Sequence, residues 1–179
     1  ERVFTYDAMF GVSLPLEITT DASVYGYGGW LSLGGKPLAW FSEDISEMDA
    51  HVLGHGPGDN DGQQSFEGMS LLITVRLWSH LWRSKRVHLQ IRSDNVGALT
   101  IFSSLKAGGP GMNTIAREYA LDSAQGTFEP DVIAHLPGVA NVVADRLSRR
   151  NDPKYSSGWK PPEFLANTSG LFPPPRPLS

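Results

Sequence analysis

One aspartate constrains this chain more than any other residue. Asp21 stands inside the run Leu16 to Val24, L-E-I-T-T-D-A-S-V. Ile18, Thr19, Thr20 and Val24 are β-branched, the types that suit a pleated, half-buried strand. A carboxylate placed among them loses hydration, which is tolerable only where a cation or hydrogen-bond donors compensate. The alternative is a strand that stops at Thr20, with Asp21 opening a turn and bonding its own backbone. Which reading holds depends on whether other acids of the chain arrive at the same place.

The 179 residues fit one domain with ragged ends better than two. At 40% hydrophobic and 19% charged residues, the chain can bury an ordinary core. It has no cysteine, which excludes a disulfide framework, a thiolate metal site and a thiol nucleophile. No apolar run approaches the ~20 residues of a membrane span, and there is no signal-peptide pattern. An intracellular protein of cytoplasm or nucleus is expected, and a first residue of Glu1 reads as a segment cut from a longer polypeptide. The net charge of −4 provides no global field for nucleic acid. Any such binding then falls to a local site, a metal or a neighbouring domain.

In chain order, residues 1–15 read as a lead-in with no clean period. Gly28-Gly29 and Gly34-Gly35 punctuate an antiparallel meander of three strands, about 16–24, 26–33 and 37–42. Residues 43–65 hold Gly54, Gly56, Gly58 and Gly62 and read as a mobile loop. Within it His51 and His55 lack the Glu of a zincin motif, and Asp59 to Gly62 lacks calcium-loop spacing. Ser65 reads as the N-cap of a helix from Phe66 to Trp82, whose apolar stripe is Leu71, Val75, Trp78 and Trp82. At 100° per residue, Glu67 falls within about 40° of Leu71 and Trp78 and so faces inward. The helix dipole explains an acid early in a helix. It does not explain one that points inward.

Residues 86–92 alternate as a strand with one wet face. Asp94 follows, either as the N-cap of a helix over 95–105 or as a further site acid. A helix over 112–124, a strand over 130–136 and a short helix from Asn141 complete the domain. In the last helix Asp145 has a bland partner in Arg149, four residues on. Residues 151–179 are Pro-rich and read as an extended tail, which Trp159, Phe164, Leu165, Leu171 and Phe172 could pin to the domain. The domain itself is placed at 16–150.

The order is β-β-β-α-β-α-α-β-α, with acids at a strand, a helix start, a strand end and a final helix. In an open sheet, sites form at strand ends where the order switches. Carboxylates gathered there repel one another and are stable only around cations. Oxygen-only ligation suits Mg²⁺ or Mn²⁺, and paired ions can clamp an in-line phosphodiester displacement.

The segments I-T-T-D-A-S, F-E-G-M-S-L-L, I-R-S-D-N-V-G-A-L and H-L-P-G-V-A-N-V-V-A-D-R-L-S-R resemble the four motifs of ribonuclease H. The closing P-G-x-x-N-x-x-A-D-x-L-S-R is similar to the ribonuclease H domains of reverse-transcribing retroelements, of the long-terminal-repeat and tyrosine-recombinase kinds. The resemblance covers about residues 16–150. It implies an α/β fold with a five-stranded mixed sheet, order 3-2-1-4-5, flanked by helices. It also implies that Asp21, Glu67, Asp94 and Asp145 bind two divalent metals, Mg²⁺ or Mn²⁺, and cut the RNA strand of an RNA–DNA hybrid. Asp21 would bridge both ions. Ser23 and Asn95, each beside an acid, are candidate contacts to the hybrid backbone.

Two departures from the family stand out. Many members carry a mobile histidine before the last acid, where this chain has Val139; His135 lies four residues earlier and is not a substitute. Residues 105–112 offer only Lys106 where some bacterial enzymes have a basic protrusion. Together with the acidic net charge, this implies that an attached reverse transcriptase holds most of the duplex. Integrases of the same fold read Asp, Asp, Glu, and proofreading exonucleases need a second acid where Ser23 stands. The rival of another class is a catalytically silent domain of this fold that braces a polymerase or partner.

Overall fold

The computed structural model describes residues 16–81, 87–104, 108–125, 128–135, 141–155, 158–161, 163 and 165–170. The lead-in, Trp82, Lys106, Val139, Phe164, Leu171 and Phe172 lie outside them, as does the side chain of His135. Strands β1 (Leu16–Ala22), β2 (Gly26–Leu33) and β3 (Lys36–Asp44) form the expected meander. Gly34 and Gly35 join β2 to β3 with φ of 55° and 78°. Positive φ at both centres of a two-residue hairpin is what glycine permits, and it matches the strand twist.

A helical segment follows where the sequence reading expected a mobile loop. Helix α1 (Glu47–Leu53) is closed by a reciprocal cap: Asp49 N donates to Ser46 Oγ at 3.1 Å, and Ser46 N donates to Asp49 Oδ2 at 3.0 Å. Gly54 ends it at φ 76°. The glycines drew attention away from the S-x-x-D signature, the physical start signal of this helix. Leu53 is buried, and a Cβ added at Gly111 would meet the Leu53 carbonyl at 2.8 Å, so α1 abuts a later helix closely. This segment is packed. Ser46→Ala is therefore expected to cost about 1 kcal/mol of stability, read by urea melting, and to open residues 47–53 to protease; unchanged stability would show that the cap is dispensable.

After a 3₁₀ turn at Asn60–Gly62 comes α2 (Gln63–Leu77). It starts three residues before the expected Phe66, and Ser65 lies inside it instead of capping it. Nearly its whole circumference is buried, from Ser65 through Val75. It packs on β1 and β2 and on the helices α3 (Val96–Ser104) and α4 (Pro110–Gln125). Arg76 of α2 pairs with Glu118 and Asp122 of α4, which tethers the outer helix to the central one. Phe41 and Trp78 meet edge to face at 5.9 Å in the core.

Strands β4 (Val87–Ser93) and β5 (Phe128–His135) run parallel to β1 on its other side. The final helix α5 (Val142–Ser148) packs on β1, β2 and β3. Adjacent residues of β1 place the helices on opposite faces: the Thr20 hydroxyl meets Ser70 of α2, while Asp21 meets Ser148 of α5. The sheet order is β5-β4-β1-β2-β3-β6, which contains the expected five-strand order. The sixth strand, β6 (Ala166–Asn167), comes from the Pro-rich segment and pairs in parallel with Ala39 and Trp40 on the outer edge of β3. Thr168 N and Oγ1 each donate to the Trp40 carbonyl at 2.9 Å, and Ser42 N donates to Ser169 Oγ at 3.0 Å.

Candidate active site

Parallel pairing decides where the acids go. β1 and β4 are in register up to Thr19 and Arg92. Two residues beyond that pair stand Asp21 and Asp94, so both acids stand at one level where the β1–β4 pairing ends. Glu67, in the early turns of α2, meets them at the strand ends. One carboxylate oxygen from each of Asp21, Glu67 and Asp94 lies within 4.8 Å of the other two. Asp21 and Glu67 are buried, and Asp94 is half-buried.

Asp21 and Glu67 are held by neighbours to which the sequence reading gave no role. Ser148 Oγ donates to Asp21 Oδ2 at 2.6 Å, and Asn141 Nδ2 donates to Oδ1 at 3.4 Å and to the Thr20 carbonyl at 3.3 Å. Both residues lie in the closing motif, three residues after and four before Asp145, a spacing that puts them on one side of α5. Gln63 Nε2 donates to Glu67 Oε1 at 2.9 Å and to the Ala22 carbonyl at 2.7 Å, which ties the start of α2 to the end of β1. The i, i+4 spacing of Gln63 and Glu67 was the readable signal there. Ser70 Oγ donates to the Asp21 carbonyl at 2.8 Å and fixes the backbone beneath the acid.

Asn95 and Ser23, the two candidate substrate contacts, also have partners within the protein. Asn95, not Asp94, caps α3: Ala98 N donates to Asn95 Oδ1 at 2.9 Å. Asn95 thereby spends its oxygen on the helix, and Asp94 is not needed as a cap. Ser23, a candidate substrate contact, is buried and committed to the β1–β2 turn. Its hydroxyl donates to the Ser148 carbonyl at 2.8 Å and accepts from the amides of Tyr25 and Gly26 at 3.2 and 3.1 Å. Its work is to hold α5 against the sheet.

Asp145 stands apart from the three-acid group. Its Oδ1 accepts from Arg149 Nε at 2.6 Å, the ion pair foreseen from the i, i+4 spacing, with both side chains partly exposed. Its charge still reaches the centre. Burial pushes the Asp21 carboxyl up to about 7 from 3.8, against the pull of the Ser148 hydrogen bond, and the charges of Asp94 and Asp145 add to the rise. Burial also raises Glu67 well above the usual carboxylate range, helped by Asp21 and Asp94. Among the described residues Glu67 Oε2 is buried without a hydrogen-bond partner. An orphaned, desolvated oxygen beside two further carboxylates fits a hard divalent cation, which would relieve both the burial and the repulsion.

No protein-family model matches the sequence, and no curated protein matches it. Solved structures do resemble the fold. The N-terminal RNase H domain of a Mycobacterium tuberculosis protein, fused to maltose-binding protein, is 16% identical with a TM-score of 0.53, over 76% of this chain and 95% of its own. RNase H1 from the halophilic archaeon Halobacterium salinarum is 13% identical with a TM-score of 0.54, over 75% of this chain and 93% of its own. LC11-RNase H1, solved in complex with an RNA/DNA hybrid, is 16% identical with a TM-score of 0.53, over 74% and 92%. At this level of identity the likeness is one of fold. With a mixed sheet in the order β5-β4-β1-β2-β3 and helices on both faces, the chain has the ribonuclease H fold.

Proposed function

We propose that this domain is a metal-dependent ribonuclease H that hydrolyses the RNA strand of RNA–DNA hybrids during reverse transcription in a retroelement. The observation that carries the reading is the group Asp21, Glu67 and Asp94, gathered within 4.8 Å at the ends of β1 and β4 with an unpartnered buried oxygen on Glu67. The fold neighbours named RNase H, one of them in complex with a hybrid, support it. The retroelement context rests on the closing motif from Pro137 to Arg149. A covalently attached reverse transcriptase is the partner that motif implies.

Asp21, Glu67 and Asp94 would hold Mg²⁺ or Mn²⁺, and Asp145 would join them by releasing Arg149. Bound ions supply Lewis acidity toward the scissile phosphodiester. The chain's own residues prepare that site. Ser148 and Asn141 orient both oxygens of Asp21 from α5, and Gln63 orients Glu67 while anchoring it to β1. These supports are packed or buried, so the carboxylates are set before substrate arrives, which is where such a site gains its rate.

The test is a uniformly labelled hybrid incubated with Mg²⁺ or Mn²⁺, beside single-stranded RNA and duplex DNA. Only the RNA of the hybrid should be cut, because 2′-hydroxyls and duplex shape distinguish it. Equal cutting of single-stranded RNA would indicate another nuclease class. No cutting of any substrate would favour the silent brace.

A further inference from the structure

We infer that the cations from Arg146 to Lys160 form a phosphate-binding strap that grips the hybrid beside the carboxylates; the inference rests on the ribonuclease H reading above. Five of the chain's fifteen Lys and Arg fall in this stretch, Arg146, Arg149, Arg150, Lys154 and Lys160, with one acid, Asp152. The stretch thus carries +4 on a chain whose total is −4. A tail that served only solubility would mix both signs. A segment of net +4 on an acidic domain is the footprint of a polyanion.

Its path begins at the site. Arg149 pairs with Asp145, and its charge reaches Asp21. Asn151 Nδ2 then donates to Asp44 Oδ1 at 2.8 Å. Asp44 ends β3 opposite Gly26, two residues before the Asp21 partner Gly28, so the strap passes the end of the sheet that holds the acids. Two tryptophans set its cations in place: Arg150 lies 5.4 Å from the Trp40 ring and Arg146 5.6 Å from the Trp159 ring. Among the described residues the arginine ion pairs engage Arg76, Arg92 and Arg149, whereas Arg146 and Arg150 are stacked. An arginine stacked through its face keeps its N–H edge for phosphate, and little freedom remains to be lost on binding. Lys154 and Lys160, of the same stretch, are exposed. Beyond the strap, β6 fastens the chain to β3 and keeps the cationic stretch against the domain.

The experiment is fluorescence anisotropy of a labelled hybrid in EDTA over a salt series, with wild type, a Lys154→Ala/Lys160→Ala variant and a Lys36→Ala control. Lys36 is exposed at the opposite end of the sheet, paired with Leu33. Each phosphate contact contributes about 1 to the slope of log K against log salt, so the double variant should lose about 2 from it. Near 0.1 M salt its affinity should fall about tenfold or more, with the control unchanged. Equal slopes and affinities for wild type and double variant overturn the strap, as does an equal loss in the Lys36 control. Cleavage by wild type is scored separately. A wild type that binds hybrid through the strap yet cuts nothing would sink the nuclease reading and leave the binding surface standing.

Discussion

The Asp21→Asn variant should lose hybrid cleavage by about 10³-fold, the scale of removing one preorganised charged group from such a centre. The same change should stabilise the metal-free protein above neutral pH. Asp21 is only 4% exposed, and its carboxyl is pushed up to about 7 from 3.8 by burial. A carboxyl whose folded value is raised binds its proton more tightly folded than unfolded. Its full stability is present below about 3.8 and is lost as pH rises through about 7. At pH 8 the cost of holding the ionised group is on the order of 4 kcal/mol, and Glu67, shifted in the same direction, adds to it. Asparagine never ionises. Melting in EDTA at pH 5 and pH 8 checks this: the parent should be less stable at pH 8, the variant should narrow the gap, and Mg²⁺ should raise the parent more. A parent more stable at pH 8 than at pH 5 in EDTA would contradict the buried-acid picture, and full cleavage by the variant would remove the mechanism.

The Gly28→Val variant should be the most damaging change outside the acids. A Cβ at Gly28 would lie 2.3 Å from Ser148 N and 2.6 Å from the Leu147 carbonyl carbon. These are backbone atoms and cannot swing aside, so α5 must move off the sheet. Overpacking of this kind costs about 3 kcal/mol. It would also part Ser148 from Asp21 and carry Asp145 away, so cleavage should fall by about 10-fold or more, as for loss of a supporting shell around a metal. Gly56→Ala is the control, since nothing lies within 4 Å of its added Cβ; it should stay within about 0.5 kcal/mol. Urea melts and cleavage rates on both variants decide the matter, and a Gly28→Val protein as stable as the control would show that the close approach is not limiting.

The site was readable where local pattern and topology agree. β-branched residues around Asp21 announced a strand, and the stripe through Leu71, Val75 and Trp78 turned Glu67 inward. Other features turned on side-chain choices that spacing leaves open. Asp94 and Asn95 are both good caps, and only the geometry shows that Asn95 takes the α3 amide. Asp145 could serve as a site acid or pair with Arg149 four residues on, and the ion pair is what the structure shows. Helix α1 was legible in Ser46 and Asp49 but was masked by the surrounding glycines. The return of the Pro-rich segment as β6 has no local signal, because two residues pairing with a strand about 125 positions away leave no period.

The carboxylate end of the sheet is closed by contacts from far along the chain. Ser23 Oγ, Ser42 Oγ and Asp21 reach the Ser148 carbonyl, the Leu147 carbonyl and Ser148 Oγ across 125, 105 and 127 residues. Closures of that span form late. At ribosomal rates of about 5–20 residues per second, Ser148 is made roughly 6 to 25 s after Asp21. Over the last 54 residues of that interval, from Asp94 to Ser148 and so roughly 3 to 11 s, the nascent chain holds the first three acids but lacks the helix that orients the foremost of them. The order of synthesis thus acts as a timer, and the supported carboxylate group is complete only once the chain through Ser148 has been made.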